Sequence, residues 1–225
     1  MTTHHLPFTD YEISIAIDET AARVASDQPL AVLSSAVVGG DLRATRHIVN
    51  MHVRKGYASE NPENDLRAFA ARLEIAEPFV GMMTAAYTQN ARVAIESRDG
   101  ITVAAIVTAG LSNLIAAGIS EPTEILVGTI NTILLIDAAL TEAAMANAII
   151  TATEAKTLTL IERDARTREG DFASGTSTDS IAVACTHRGE PLRYAGAATI
   201  LGWLIARTTR NALTQSLIAR EQSLR

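Results

Sequence analysis

The dipeptide Asp99-Gly100 constrains the fold of this chain more than any other feature. It separates two runs, Arg92 to Arg98 and Ile101 to Thr108, and a two-residue connection ending in glycine is the tight turn of a β-hairpin. An antiparallel pair is therefore expected here. The stretch 101–120 carries no charge and has the length of a membrane span. Its two glycines, four Ser/Thr and Asn113 describe a buried strand followed by a turn instead.

Other elements arrange themselves around this hairpin. Residues 11–17 alternate as a half-buried strand does, and Leu30 to Val38 reads as another strand ending at Gly39-Gly40. Asn61-Pro62-Glu63 is a helix start, with a capping residue, a first-turn proline and an acid suited to the dipole, and the helix is expected to reach Glu74. Strand 126–136 leads to Thr141, a cap for a helix running to Glu162. On that helix Met145, Ala148, Ile149, Ala152 and Lys156 share one side, while Asn147, Ile150, Glu154, Leu158 and Ile161 share the other. Apolar groups on both sides predict a helix covered on two faces. Arg163 to Ser174 is polar and reads as a loop, and Ser180 to Thr186 as a strand. Ala197 to Arg220 forms a closing amphipathic helix with Leu201, Leu204, Ile205 and Thr208 inward, and its outer side is a candidate contact for a homo-oligomer. The expected fold class is α/β (α+β), a layered sandwich of a mixed, largely antiparallel β-sheet and packed helices, built as a single domain over 1–225.

Composition narrows the function. With 48% apolar and 20% charged residues the chain is globular. A formal charge of -6 offers no basic field to displace phosphate counterions, which excludes a nucleic-acid partner. One cysteine allows no internal disulfide and fits a reducing compartment. Cys185, in register with Ile181 and Val183, reads as a small core residue. The start of the chain lacks the basic-then-apolar order of a secretory signal. A cytoplasmic protein without a membrane partner is expected.

No metalloprotease helix, Gly-x-Ser-x-Gly elbow or phosphate loop is present, and no metal site is predicted. The candidates for chemistry are instead Glu154 and Lys156, charges without a charged neighbour at three or four residues' spacing on their own helix. Each must reach solvent, a tertiary partner or a ligand. Small polar clusters at strand ends add hydroxyls and amides: Ser34 with Ser35, Asn50 with His52, Thr108 through Asn113, Asn131 with Thr132, and Thr176, Thr178 and Asp179 in the loop 175–179. Such groups can hold a ligand rich in carbonyls. Each also has a plain structural reading: strand-end hydroxyls bonded to backbone for the serines, a structural imidazole for His52, a turn cap for Asp179. Arg43, Arg46 and Arg54 read as solvated surface charges.

Several segments, in one order, resemble the adenosylcobinamide amidohydrolases of the CbiZ family. They are Val32–Gly40, Ile48–Val53, Asn61–Ala70, Phe79–Ala86, Val103–Asn113, Gly128–Asp137, Ala152–Thr157, Gly175–Ala184 and Gly189–Gly196, so the likeness spans roughly residues 30 to 210. Two departures stand out. Asp41 follows Val-Gly-Gly where the family tends to a third glycine, and Ser177 stands where it tends to Gly, which predicts strain if that position needs a positive φ. The resemblance implies hydrolysis of the amide joining aminopropanol to the corrin ring, yielding adenosylcobyric acid for coenzyme B12 salvage. The corrinoid is then substrate, and no cofactor is expected. One mechanism gives Glu154 the role of general base for water, with Lys156 or a loop N–H at the oxyanion and Asn50, Asn131, Thr176 and Thr178 orienting ring amides. A second makes Ser34, Ser35 or Thr176 the nucleophile and His52 its base. Two other classes stay open: a non-catalytic corrinoid-binding protein, and a self-processing threonine-nucleophile acyltransferase suggested by the Thr-rich loop.

Overall fold

The computed structural model describes residues 1–122 and 128–223. Eleven strands and three α-helices follow the order β1 (Thr2–His5), β2 (Ile13–Ile17), β3 (Ala21–Ser34), β4 (Leu42–His52), α1 (Pro62–Arg72), β5 (Val80–Thr84), β6 (Arg92–Arg98), β7 (Ile101–Ala109), β8 (Leu114–Ile115), β9 (Ile130–Ile136), α2 (Glu142–Glu162), β10 (Gly175–Thr176), β11 (Ser180–Cys185) and α3 (Ile200–Ser223). Nine strands form one sheet in the order β1-β2-β3-β11-β9-β7-β6, with β4 also on β3 and β5 on β4. Only β11/β9 and β4/β5 are parallel within it. The expected mixed, mainly antiparallel layered fold is what forms.

The hairpin closes as its sequence requires. Asp99 and Gly100 take φ of 50° and 77°, the left-handed pair that matches strand twist, and β6 pairs β7 from Arg98↔Ile101 onward. Strand β3 departs from expectation. It begins at Ala21 and runs through Asp27-Gln28-Pro29, which the sequence presents as a break. These three residues are exposed at a register shift between Ala25 and Leu30, where a proline costs no ladder bond. The first half of β3 pairs β2 and the second half pairs β11, with β4 along the other edge. That branching curls the sheet over itself. The predicted strand 126–136 begins at Ile130, and its residues 126–127 lie outside the described part of the chain.

Alternation along the central strands makes the layers. Val103, Ala105 and Val107, with Leu134, Ile136, Val183 and Cys185, face α2 and α3. Ala104, Ile106, Ile133, Leu135, Ala182 and Ala184 face the other way, meeting Ile13, Ile15, Val24, Leu30, Val32 and Ile48 inside the curl. The outer side of β4 presents Val49 and Met51 to Leu66, Phe69 and Ala70 of α1. Helices thus bracket a folded-over sheet.

Helix α2 starts at the predicted cap, with Thr141 Oγ1 accepting from the Ala144 N–H at 3.2 Å. It is covered on one face only, through Met145, Ala148, Thr151, Ala152, Ala155, Thr159 and Leu160. Ile150, Leu158 and Ile161 are exposed, so the two-sided covering predicted from sequence is not what forms. The small residues Ala148, Ala152 and Ala155 lie on the face that packs against α3 and the sheet, and among the described residues the other face stays uncovered at Ile150, Leu158 and Ile161. Helix α3 buries Leu201, Leu204, Ile205 and Thr208 as expected. No helix among the described residues is long and apolar enough to cross a membrane.

Candidate active site

Because β9 and β11 are parallel, their N-terminal ends open on the same side, beside the C-terminal ends of β3 and β7, and the C-terminal end of β4 reaches them across the curl through Asn50. The sequence puts its polar residues at those ends. Asp179, just before β11, is the hub. Its Oδ2 accepts from Lys156 Nζ at 2.5 Å and from the Thr176 N–H at 3.1 Å. Its Oδ1 accepts from the Ile130 N–H at 2.9 Å and from Thr176 Oγ1 at 2.5 Å. Four donors on one carboxylate fix the loop, β9 and α2 relative to one another. The side chains of Lys156 and Asp179 are only 14% and 17% exposed. Gly175 makes this approach possible: a Cβ there would lie 2.6 Å from Lys156 Nζ and overlap Asp179 Oδ2.

A second set of groups is buried behind the pair. Asn131 Nδ2 donates to Asn50 Oδ1 and to the Met83 carbonyl, both at 2.8 Å, and Asn50 Nδ2 donates to Thr108 Oγ1 at 2.9 Å. Thr129 Oγ1 lies 2.9 Å from Asn131 Oδ1 and 2.7 Å from the Thr178 carbonyl. This chain crosses the curl of the sheet and ends on the loop that carries Asp179. Asn50, Thr108 and Asn131 are at most 2% exposed and bond one another behind the loop that carries Asp179.

Two spaces meet at Asp179 and Ser180, which line both. A cleft of about 560 Å³ is bounded by Ser35, Val37, Tyr57, Ala58, Ser59, Pro62, Met82, Met83 and Thr178. A chamber of about 190 Å³ on the helix side is bounded by Ile130, Thr132, Ala152, Thr153, Lys156 and Ile181. At the cleft, Ser35 Oγ is 3.3 Å from Ser180 Oγ and accepts from the Ile181 N–H at 3.1 Å. Tyr57 donates to Asp65 at 2.5 Å. Burial first, then that bond, push its phenol above the ordinary value, while the same bond holds Asp65 below the usual carboxylate range.

The remaining predicted residues scatter. Glu154 is exposed on α2 and lines neither space; as a solvated charge it takes the first of the three fates open to it, and Lys156 takes the second. Ser34 is buried and donates to the Gly39 carbonyl at 2.7 Å. His52 Nδ1 sits 3.0 Å from the Ala86 carbonyl. Since Ser34, Ser35 and Thr176 each have another partner, the hydroxyl–imidazole pair of the second mechanism is not assembled here. Asn113 donates to Ser177 at 2.6 Å, and both line a separate cavity of about 500 Å³. Ser177 is not among the non-glycine residues with positive φ, which are Asp10, Glu74, Asp99 and Asp164, so the predicted strain does not arise. Asp41 forms a two-pronged ion pair with Arg43, at 2.7 and 2.8 Å, and the hydrogen bonds from Arg43 hold its carboxyl below the ordinary value. No group of three His, Cys, Asp or Glu side chains among the described residues is placed to hold a metal. Sequence reasoning missed Thr129 and Ser180, although Ser180 adjoins Asp179 and Thr129 lies two residues before Asn131, and it named Gly175 only as part of the loop 175–179.

A family model described as adenosylcobinamide amidohydrolase matches residues 7–224. The adenosylcobinamide amidohydrolase of Methanosarcina mazei is 35% identical over 179 residues, covering 76% of this chain and 81% of its own. That of Halobacterium salinarum is 31% identical over 198 residues, covering 84% and 80%. An uncharacterized protein of Methanocaldococcus jannaschii, MJ1613, is 35% identical over 162 residues, or 63% of each chain. Among solved structures, the PH0078 protein from Pyrococcus horikoshii superposes with a TM-score of 0.47 at 13% identity, covering 89% of this chain and 78% of that one. The L-aminopeptidase D-Ala-esterase/amidase of Ochrobactrum anthropi gives 0.43 at 11% identity, covering 93% and 83%.

Proposed function

The chain belongs to the adenosylcobinamide amidohydrolase family, and from that premise we propose that it cuts its substrate where Asp179 and Lys156 meet. The protein is a hydrolase acting on the amide that links aminopropanol to the corrin ring, releasing adenosylcobyric acid in corrinoid salvage. The observation that carries the placement is the half-buried Lys156–Asp179 pair at the wall shared by two spaces.

Amide hydrolysis needs a stabilised oxyanion, a base for the nucleophile and an acid for the departing amine. The Lys156 ammonium has three N–H donors and gives one to Asp179. The other two are available to a carbonyl oxygen that becomes an oxyanion. Among the described residues Asp179 is the one carboxylate lining either space. Rotation of the Thr176 hydroxyl frees Oδ1 to take a proton from the attacking water, and Asp179 then returns it to the amine as the C–N bond breaks. Water and amide become acid and amine with no proton unaccounted for. The apolar cleft, with Val37, Tyr57, Pro62, Met82 and Met83, suits the edge of a corrin macrocycle, while Ser35, Ser59 and Thr178 suit its amide fringe.

The test is release of aminopropanol from adenosylcobinamide by Lys156→Ala and Asp179→Asn. Full turnover by either folded variant would sink this placement. Mass spectrometry of the stalled enzyme bears on the nucleophile: an acyl adduct on Ser35 or Ser180 would replace water by a hydroxyl.

A further inference from the structure

Thr132 presents its hydroxyl to open space rather than to the protein. The residue is 5% exposed, sits on the helix-facing side of β9, and forms no side-chain hydrogen bond among the described residues, while its side chain lines the chamber beside Lys156. A hydroxyl that faces a cavity without a protein partner is free to bond a ligand placed there. The chamber is the one of about 190 Å³, and Lys156, the cation that borders this space among the described residues, gives one of its three donors to Asp179. Thr153 cannot compete for Thr132, because its hydroxyl is turned back to the Ile149 carbonyl at 2.8 Å.

Size and polarity divide the two spaces. The chamber holds the volume of roughly six liquid waters, enough for a short amino alcohol and far too little for a macrocycle. The cleft is larger and more apolar. With the ring in the cleft and the scissile carbonyl at Asp179 and Lys156, the amine side of the bond points into the chamber. We propose that this chamber is the leaving-group subsite, that it takes a short aliphatic amine bearing a hydroxyl, and that Thr132 reads that hydroxyl. The proposal rests on the hydrolytic reading above and adds the direction in which the substrate lies. Sites that hydrogen-bond a ligand hydroxyl reject the analogue lacking it, because their own polar group is then left unpaired. Thr132 is therefore a specificity residue, and Ala152, on α2, lines the same chamber.

The experiment is product inhibition of the full-length protein acting on adenosylcobinamide, with 1-amino-2-propanol and propylamine compared as inhibitors. Wild type is expected to bind the amino alcohol about tenfold more tightly than propylamine, the usual worth of one matched hydrogen bond. Thr132→Val should erase that preference, Thr132→Ser should restore it, and Ala152→Leu should weaken both amines together. Wild type that inhibits equally with both amines, or an active Thr132→Val that keeps the preference, overturns the subsite while leaving the hydrolase standing. Wild type that releases no aminopropanol at all removes the hydrolytic reading and the subsite with it.

Discussion

Two carboxylates stand at opposite ends of the β9–β11 pair, and each holds a cation. Asp137, just past the C-terminal end of β9, is 2% exposed and accepts from Arg188 Nε at 3.0 Å, from the Thr9 N–H at 3.0 Å and from Thr186 Oγ1 at 3.3 Å. Arg188 also donates to the Gly100 and Asp137 carbonyls at 2.6 and 2.5 Å. This pair stitches the N-terminal segment, the hairpin turn and the loop after β11 together, and Asp137 lines neither space around Asp179. Asp179 is bonded as completely as Asp137, yet it borders both spaces, and its lysine has donors to spare. Burial of an ion pair therefore does not mark function by itself. Open volume beside the pair, and a glycine that lets the backbone come close, are what distinguish the second from the first.

If the distinction is real, breaking each pair should harm a different property. Lys156→Ala is expected to lower turnover by about 10²–10³, the usual loss of one oxyanion donor, with a smaller loss of thermal stability than the Arg188 variant below, because Asp179 borders open space and keeps three other donors. Kinetics beside a melting curve check this, and an unaltered rate would remove the lysine from the chemistry. Arg188→Ala is expected to do the reverse. It leaves the Asp137 carboxylate buried and unpaired, at a cost of about 3 kcal/mol, the low end for a buried pair because Arg188 is itself 32% exposed. Tm should fall by roughly 6–12 °C while the protein that remains folded stays active. Denaturation in urea with a parallel activity assay measures both.

Gly175→Ala sharpens the contrast. The added Cβ meets only the ends of the Lys156 and Asp179 side chains, so the chain relieves the clash by parting the ion pair rather than by unfolding. Turnover should drop about tenfold or more, as expected when a catalytic group is misplaced, at nearly constant Tm. Asn131→Ala strands Asn50 Oδ1 and removes a donor from the Met83 carbonyl, and should cost about 1–3 kcal/mol with some loss of rate. Glu154→Gln should change neither, since the side chain is exposed and away from both spaces. A large loss of rate in that variant would restore Glu154 to the mechanism.

Much of the architecture was legible because its signals are local. Asp99-Gly100 demands positive φ twice in succession, Thr141 caps its own helix three residues on, and the inward residues of α3 recur at helical spacing. Strand β4 was less visible because Arg43, Thr45, Arg46 and His47 interrupt any apolar run, and β3 because Pro29 reads as a stop. The exposed Ile150, Leu158 and Ile161 misled in the other direction: apolar residues predict a cover only on the assumption that something is there to supply it. Lys156 was singled out for a sound reason, an ionic group on an apolar helix with no local partner. The same reasoning could not separate it from Glu154, whose relief is solvent.

The sequence by itself determined the hairpin, the helix starts, the inward face of α3 and the kinship with corrinoid amidohydrolases, since each is written in neighbouring residues or in the order of segments. Which polar groups meet was decided only by the tertiary fold. Lys156 finds Asp179 across 23 residues and Asn50 finds Asn131 across 81, distances over which spacing carries no information about contact. The curl of the sheet at β3 brings those strand ends together, and it leaves beside them the two unfilled spaces on which chemistry depends.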